Sequence, residues 1–370
     1  MTAESRRREE ACRWRASSRS AALLAFTLLS PSPAYSQKNR TENVILAIAD
    51  GIRPRELFEG VDGDLFREAD LWSEDRSERR KKLMPFFWSE VGRRGLVLGN
   101  RALSSAVSVK NPYRLSASGH AEILTGEPQE SVEGDEPGFS PRSTILEFIR
   151  EKTARAPTDV AAFASWERFE RIAMRSEGAI VCNAGYQPIP PEWATPDMAL
   201  VETLQLEMMT PWDSLRHDAL TLRLALEYME RYEPRLLVVS LGEMEAWAVE
   251  GRYDRMARAI RFFDDALRRL WTEAQSRAAY RDKTTLIVTT THGHGSTTRD
   301  WSAHGPDVPG GEETWIAILG PDTPARGEAR GTKPQSQSNV AATVLELLDL
   351  NYQEFNRSAG APIEGAMRER

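Results

Sequence analysis

With 2 cysteines in 370 residues, the sequence leaves little room for disulfide chemistry. Cys12 lies in an arginine-rich N-terminal stretch, so once that stretch is removed Cys182 has no partner, and an intramolecular disulfide is excluded. Stability must come from packing, with or without bound metal. Long apolar runs are missing too. Beyond residue 29 no segment is both long enough and apolar enough to cross a bilayer as a helix, so no transmembrane helix is expected in the mature chain. Charge of one sign is also missing: 48 Lys and Arg are interspersed among 55 Asp and Glu, net −7, without a basic stripe, and this gives no support for a nucleic-acid partner. Internal repeats, low-complexity tracts and flexible inter-domain linkers are absent as well.

What is present begins with Arg6, Arg7, Arg8, Arg13, Arg15 and Arg19 ahead of the apolar run Ala21 to Leu29. Ser30-Pro31-Ser32-Pro33 and Ala34-Tyr35-Ser36 follow, with small residues where a signal peptidase reads, so residues 1–36 are expected to be a signal peptide cleaved before Gln37. The protein is then exported, to the periplasm or beyond; a disordered leader or an uncleaved anchor is the alternative. Arg6 to Arg8 stand too far from the apolar run to argue for twin-arginine export. About 330 residues remain, enough for one large α/β domain spanning 37–370.

Short β-branched runs alternate with longer amphipathic stretches, the pattern of a mostly parallel central sheet flanked by helices on both faces. The clearest strands are Val44 to Ala49, Leu236 to Leu241, Thr285 to Thr290 and Trp315 to Leu319, with weaker ones at Gly95 to Leu98 and Val160 to Phe163. Their nearly continuous apolar character is that of strands buried on both faces. Asp218 to Tyr232, Arg252 to Ala279 and Val340 to Leu350 carry helical periodicity. Gly126 to Ser143 and Pro188 to Pro196 have none and are expected to be surface insertions.

In open parallel sheets, ligands sit beyond the carboxyl ends of the strands. The first strand ends in Asp50-Gly51, the strand near 240 runs into Gly242-Glu243-Met244-Glu245, and the strand ending at Thr290 continues Thr291-His292-Gly293-His294-Gly295. Four of the 5 histidines, His120, His292, His294 and His304, lie in these or similar glycine-bounded turns. One such histidine is commonly a packed or surface residue, but four of them together with Asp50 point to a metal or phosphate site. Between Asn111 and Gly126, Ser116 stands in a turn before a helix start, where a phosphoryl group on its hydroxyl would meet the N–H groups of the first turn. A plain N-cap role for Ser116 or Ser118 stays open. Asn111 either donates to a substrate oxygen or simply forms an Asn-Pro turn. Glu122 is expected to begin a helix and cap it, Arg53 to form a salt bridge or meet phosphate, and Arg252-Tyr253-Asp254 to start a helix.

These motifs, in this order, resemble the alkaline phosphatase superfamily, in the branch near nucleotide pyrophosphatases/phosphodiesterases and cofactor-independent phosphoglycerate mutases, and among its secreted bacterial members. The likeness runs from Ile45-Leu46-Ala47-Ile48-Ala49-Asp50-Gly51-Ile52-Arg53 through Ser116 to Gly126, Gly251-Arg252-Tyr253-Asp254 and Thr284 to Thr290, to Trp301, His304 and Gly305. The resemblance implies two Zn2+ ions at the carboxyl edge of the sheet, with a serine between them that attacks phosphorus. Such ions lower the nucleophile's pKa, neutralise the non-bridging oxygens and stabilise the leaving oxygen. Residue by residue, it implies Asp50 as the first-strand ligand, Ser116 as nucleophile and bridging ligand, His292 as the histidine of an Asp-His-Gly turn and His304 as the late histidine.

The sequence also departs from that pattern. Thr291 stands where the turn has its aspartate, and the family's Asp-x-x-x-His pair falls on Glu245 and Val249. Glu245 can bind zinc, Val249 cannot, and a neutral hydroxyl is a weak ligand beside a carboxylate. Two ions are expected from the family, and one or none from these substitutions. His294, His120, Glu243 and Glu250 are the candidates to substitute; otherwise His294 faces the phosphate as a weak substrate contact. The leading expectation is a hydrolase of small phosphate mono- or diesters with Ser116 as nucleophile and Asp50, Glu245, His292 and His304 as metal ligands. The rival is an inactive family member that binds a phosphorylated or sulfated ligand, or a protein partner, in the same cleft. A mutase would need a larger capping insert than Gly126 to Ser143 or Cys182 to Pro211, and the Cys/Ser-x-Pro-x-Arg signature of sulfatases is missing.

Overall fold

The computed structural model describes residues 39–129, 140–153, 156–193 and 195–368, which fall in one compact unit. The expected signal peptide and the middle of the expected loop from Gly126 to Ser143 lie outside the described residues.

The strands are β1 (Asn43–Ala49), β2 (Leu96–Leu98), β3 (Val107–Ser108), β4 (Val160–Ala164), β5 (Val181–Ala184), β6 (Leu236–Leu241), β7 (Thr284–Thr290), β8 (Glu313–Thr314), β9 (Ile316–Leu319), β10 (Gly327–Glu328) and β11 (Gln335–Ser336). The helices are α1 (Pro54–Glu59), α2 (Arg76–Leu83), α3 (Gly92–Arg94), α4 (Ser116–Thr125), α5 (Ile145–Thr153), α6 (Phe169–Ala173), α7 (Pro196–Glu207), α8 (Asp218–Tyr232), α9 (Glu243–Val249), α10 (Tyr253–Ser276), α11 (Asn339–Leu347) and α12 (Tyr352–Phe355). Eight strands form the main sheet in the order β10-β2-β9-β7-β1-β6-β4-β5, and β11-β3-β8 form a small second sheet. In the main sheet β9 alone runs against its neighbours, antiparallel to both β7 and β2.

The continuous apolar run of β1 follows from its central position. Val44, Leu46 and Ile48 enter the core shared with α4, α5 and α11, while Ile45, Ala47 and Ala49 enter the core shared with α2, α8 and α10. Both faces are covered, so no polar alternation is needed. On α10 the residues Met256, Ile260, Phe263, Leu267, Leu270 and Trp271 are buried at three- and four-residue spacing, the stripe a sheet-covering helix requires. No helix among the described residues is long and apolar enough to cross a membrane.

Two elements differ from the sequence expectation. The insertion read from Pro188 to Pro196 leads directly into α7, whose apolar residues surround it: Met198 and Val201 are buried, Leu200 and Leu206 exposed. Without a single stripe, its periodicity gave no helical signal. Glu122 does not begin a helix. It lies inside α4, fully buried, and its carboxylate accepts hydrogen bonds from other segments.

Candidate functional site

The carboxyl ends of β1, β7 and β6, the first turn of α4 and the loop after β7 meet at one edge of the main sheet. Hydrogen bonding between β1 and its neighbours continues past the strand ends: the Asp50 amide donates to the Leu241 carbonyl (3.1 Å) and the Thr291 amide to the Ala49 carbonyl (3.2 Å). This fixes Asp50 beside Thr291, whose hydroxyl donates a short hydrogen bond to Asp50 Oδ1. His292 follows, with Nε2 3.6 Å from the same oxygen. Its Nδ1 lies 2.9 Å from the Gly293 carbonyl. A carbonyl only accepts, so Nδ1 carries the proton and the bare Nε2 faces the site. Burial pushes the His292 imidazole down to about 4, so the ring is neutral at neutral pH.

Ser116 is the first residue of α4, behind Leu115 at the N-cap, so it is not itself the cap. Its Oγ stands 3.3 Å from His292 Nε2. The helix can approach this closely because residue 119 is glycine: a Cβ there would collide with the Thr291 carbonyl. Three further contacts hold the serine. His120 Nδ1 donates to the Ser116 carbonyl (2.7 Å) while its Nε2 accepts from the Ser240 hydroxyl (2.8 Å), which ties α4 to β6. Arg114 donates to the Pro306 carbonyl (2.9 Å), which ties the serine's approach segment to the loop carrying His304. Glu122 accepts from the amides of Lys110 and Asn111, from Asn111 Nδ2, and from the amide and hydroxyl of Ser338.

Glu245, early in α9, and the loop histidines make the other half of the site. His294 Nε2 is 2.8 Å from Glu245 Oε2, and His304 Nδ1 is 3.3 Å from Glu245 Oε1. Neither approach is aligned as a hydrogen bond, so both carboxylate oxygens and both nitrogens of His294 are buried without a hydrogen-bond partner. Buried polar atoms are rarely left so. Burial alone would push the Glu245 carboxyl up, but His294, His292 and His304 outweigh it and hold the group well below the usual carboxylate range. Glu245 in turn outweighs burial at His294 and raises its affinity for a proton. Gly51, at φ 75°, makes room for this pair, since a Cβ there would collide with Glu245 Oε2 and His294 Cε1.

The donor set fits a divalent cation. One ligand atom each from Glu245, His292 and His304 lies within 4.8 Å of the others, and mixed imidazole and carboxylate donors suit zinc. Asp50, Ser116 and His292 converge beside them. Not every sequence candidate reaches the site. Val249 is 63 % exposed at the end of α9, and Asn111 is buried with its amide donating to Glu122 and its oxygen accepting from the Arg114 amide (2.8 Å). Both ring nitrogens of His120 are engaged, Glu243 accepts from His217 Nδ1 and the Asp218 amide at the start of α8, and Glu250 is exposed beside Trp212. Arg53 pairs with Glu56 rather than Asp50, and donates to the Gly295 carbonyl (2.8 Å), bracing the histidine turn. Sequence reasoning missed Gly51, Gly119 and Arg114. A glycine directly after a strand-end aspartate was the one signal that pointed to any of them.

No family model matches the sequence, and no curated protein matches it. Solved structures do match. A protein in the alkaline phosphatase superfamily from Vibrio parahaemolyticus superposes with a TM-score of 0.55 at 13 % identity, covering 85 % of this chain and 68 % of its own. A phosphonate monoester hydrolase of Agrobacterium radiobacter gives a TM-score of 0.53 at 15 % identity over 84 % of this chain and 74 % of its own. A 2-O GAG sulfatase gives 0.59 at 12 % identity over 89 % and 74 %. The chain has the mostly parallel α/β fold of the alkaline phosphatase superfamily.

Proposed function

We propose that this protein is an exported, metal-dependent hydrolase of phosphate mono- or diesters in which Ser116 is the nucleophile. One observation carries the reading: Ser116 Oγ lies 3.3 Å from the bare nitrogen of His292, and His292 shares a 4.8 Å circle of donor atoms with Glu245 and His304. The metal, when bound, polarises the phosphoryl oxygens and favours the alkoxide of Ser116. Ser116 Oγ then bonds to phosphorus as the ester oxygen leaves with the alcohol. The phosphoserine oxygens lie over the N–H groups of the first turn of α4, which favour negative charge. Water cleaves the phosphoserine, returning the serine hydroxyl and releasing phosphate or a monoester.

In this reading Asp50, Ser116 and His292 would hold one ion of the zinc pair expected from the resemblance and Glu245 and His304 the other, with His292 standing close enough to serve either. A second reading, a non-catalytic protein that binds a phosphorylated or sulfated ligand in this cleft, is favoured by the Thr291 hydroxyl bound to Asp50 and by Val249 turned to solvent. Turnover of 4-nitrophenyl phosphate, bis(4-nitrophenyl) phosphate and 4-nitrophenyl sulfate by the purified protein with added zinc separates the readings. The expected result is phosphate-ester turnover that Ser116→Ala abolishes. Turnover of the sulfate alone would replace the substrate class, and turnover of none would leave the binding protein. Export is checked separately by the N-terminus of the mature protein, expected at Gln37.

A further inference from the structure

Large hydrophobic side chains that stand exposed are few here, and they are not scattered. Among the described residues they are Leu200, Leu206, Met208, Met209 and Val249, each more than half exposed. Four lie on α7 or just past it, and the fifth closes α9. The two places meet. After Met208 and Met209 the chain turns back on itself, with the Thr210 hydroxyl donating to the Leu215 carbonyl (2.5 Å) and the Thr210 amide to the Tyr186 hydroxyl (2.8 Å). Within that turn the Trp212 ring stands edge-on to Trp247 of α9, centroids 4.7 Å apart at 77°, and its indole N–H donates to Glu250 (3.4 Å). Val249 stands four residues past Glu245, one turn along the same face of α9 and about 6 Å along its axis. One short helix thus carries a candidate metal ligand, an exposed apolar residue one turn on and, through Trp247, the turn that presents two methionines.

We propose that this apolar strip is a leaving-group subsite, which holds the hydrocarbon chain of a phosphate ester of a long alkyl alcohol while the phosphoryl group sits at Ser116. The inference rests on the phosphate-ester reading above and names the class of alcohol. A two-carbon alcohol ends before it can cross the turn of helix from Glu245 to Val249 and the tryptophans beyond, whereas a long chain lies along them. Methionine side chains adapt to a flexible chain. The only side-chain donor of Trp212 is engaged by Glu250, so the strip offers little to a sugar or a base. Other occupants fit less well. A stable protein interface takes roughly 20–30 residues a side, far more than this strip supplies. An anionic bilayer is repelled by the exposed carboxylates of Glu207, Asp213 and Glu250 that border the strip and by the net charge of −7.

The test is a chain-length series. Ethyl, butyl and octyl phosphate are given to the purified protein with zinc, below micelle-forming concentrations, and phosphate release is measured. Calorimetric binding of ethylphosphonate and octylphosphonate, which have no ester bond to cleave, is measured beside it. From ethyl to octyl, kcat/KM and phosphonate affinity are both expected to rise by about 100-fold, as partial burial of the added methylenes gives. Val249→Ser and Met209→Ser, both at exposed positions, are each expected to lower the octyl-to-ethyl ratio by about 5-fold or more. Turnover and binding that are both indifferent to chain length overturn the subsite and leave the hydrolase reading standing. No turnover of any ester, with octylphosphonate still bound the tighter and the variants still weakening it, ends the hydrolase reading and leaves the subsite as part of a binding protein. Neither turnover nor binding overturns both. Indifference to chain length in a protein that dimerises, or that sediments with phosphatidylcholine vesicles, and that loses this behaviour in Met209→Ser, would assign the strip to a second copy or to a membrane instead.

Discussion

Gly51 carries more of the site than its size suggests. Its φ of 75° is costly for any residue with a Cβ, and that Cβ would displace the Glu245 carboxylate. Gly51→Ala is expected to lose about 1–2 kcal/mol of stability from the backbone alone, together with most zinc affinity; a melting curve and a zinc titration measure the two separately. Ser116→Ala is the complementary change. It is expected to cut phosphate-ester turnover by about 10³-fold or more and to leave the melting temperature within a degree or two of the original, since Leu115, not Ser116, is the helix cap. Asp50, Ser116, His292 and His304 were legible as candidates because each stands in a short polar turn beside an apolar strand or helix, and the fold brings these four side chains to one edge of the sheet. Glu122 was not legible, because its donors come from Lys110, Asn111 and Ser338, and only the fold brings Ser338 near. Glu122→Gln would set an amide donor against these amides, and a loss of about 2–4 kcal/mol in chemical denaturation is expected.

At the scale of elements, α8 and α9 cap each other. Asp218 accepts from the amides of Gly242 (2.9 Å) and Glu243 (3.1 Å), while Glu243 accepts from the Asp218 amide (2.8 Å). This fixes the start of α9, and so the position of Glu245 two residues on. Burial and the neighbouring Glu243 push the Asp218 carboxyl from 3.8 up to about 7. A group whose folded-state pKa is raised stabilises the fold fully below its unfolded value and loses that contribution as pH rises through the folded one. The advantage of the natural chain over Asp218→Asn in melting temperature is therefore expected to be largest at or below pH 4 and to shrink between pH 4 and 7. An advantage that grew over that interval would show that the carboxylate form is the stabilising one. The strongly periodic elements, β1, β6, β7 and α10, were readable because each has a single burial pattern along its length. The edge strand β5 is half-buried, and α7 buries Met198, Val201 and the polar Gln205 while leaving Leu200 and Leu206 exposed, so neither shows a clean apolar face in the sequence.

The two cores lie on opposite faces of the main sheet and neither contains the candidate metal ligands. The protein is expected to stay folded without metal, and zinc at a hundred times its dissociation constant to add about 2.7 kcal/mol by mass action. Thermal melting in zinc and in chelator checks this; unfolding on chelation alone would mean that the metal site holds the fold together. The antiparallel course of β9 has a wider consequence. Thr289 at the end of β7 pairs with Ile316 at the start of β9, so the chain leaves one strand and enters its neighbour from the same rim of the sheet. The excursion between them, with His292, His294 and His304 on it, never has to travel back to the opposite rim, as a parallel neighbour would demand. It can grow, shrink or trade one candidate ligand for another without rethreading the sheet, which makes it the stretch where a lineage can rewrite the chemistry of the site while leaving the fold intact.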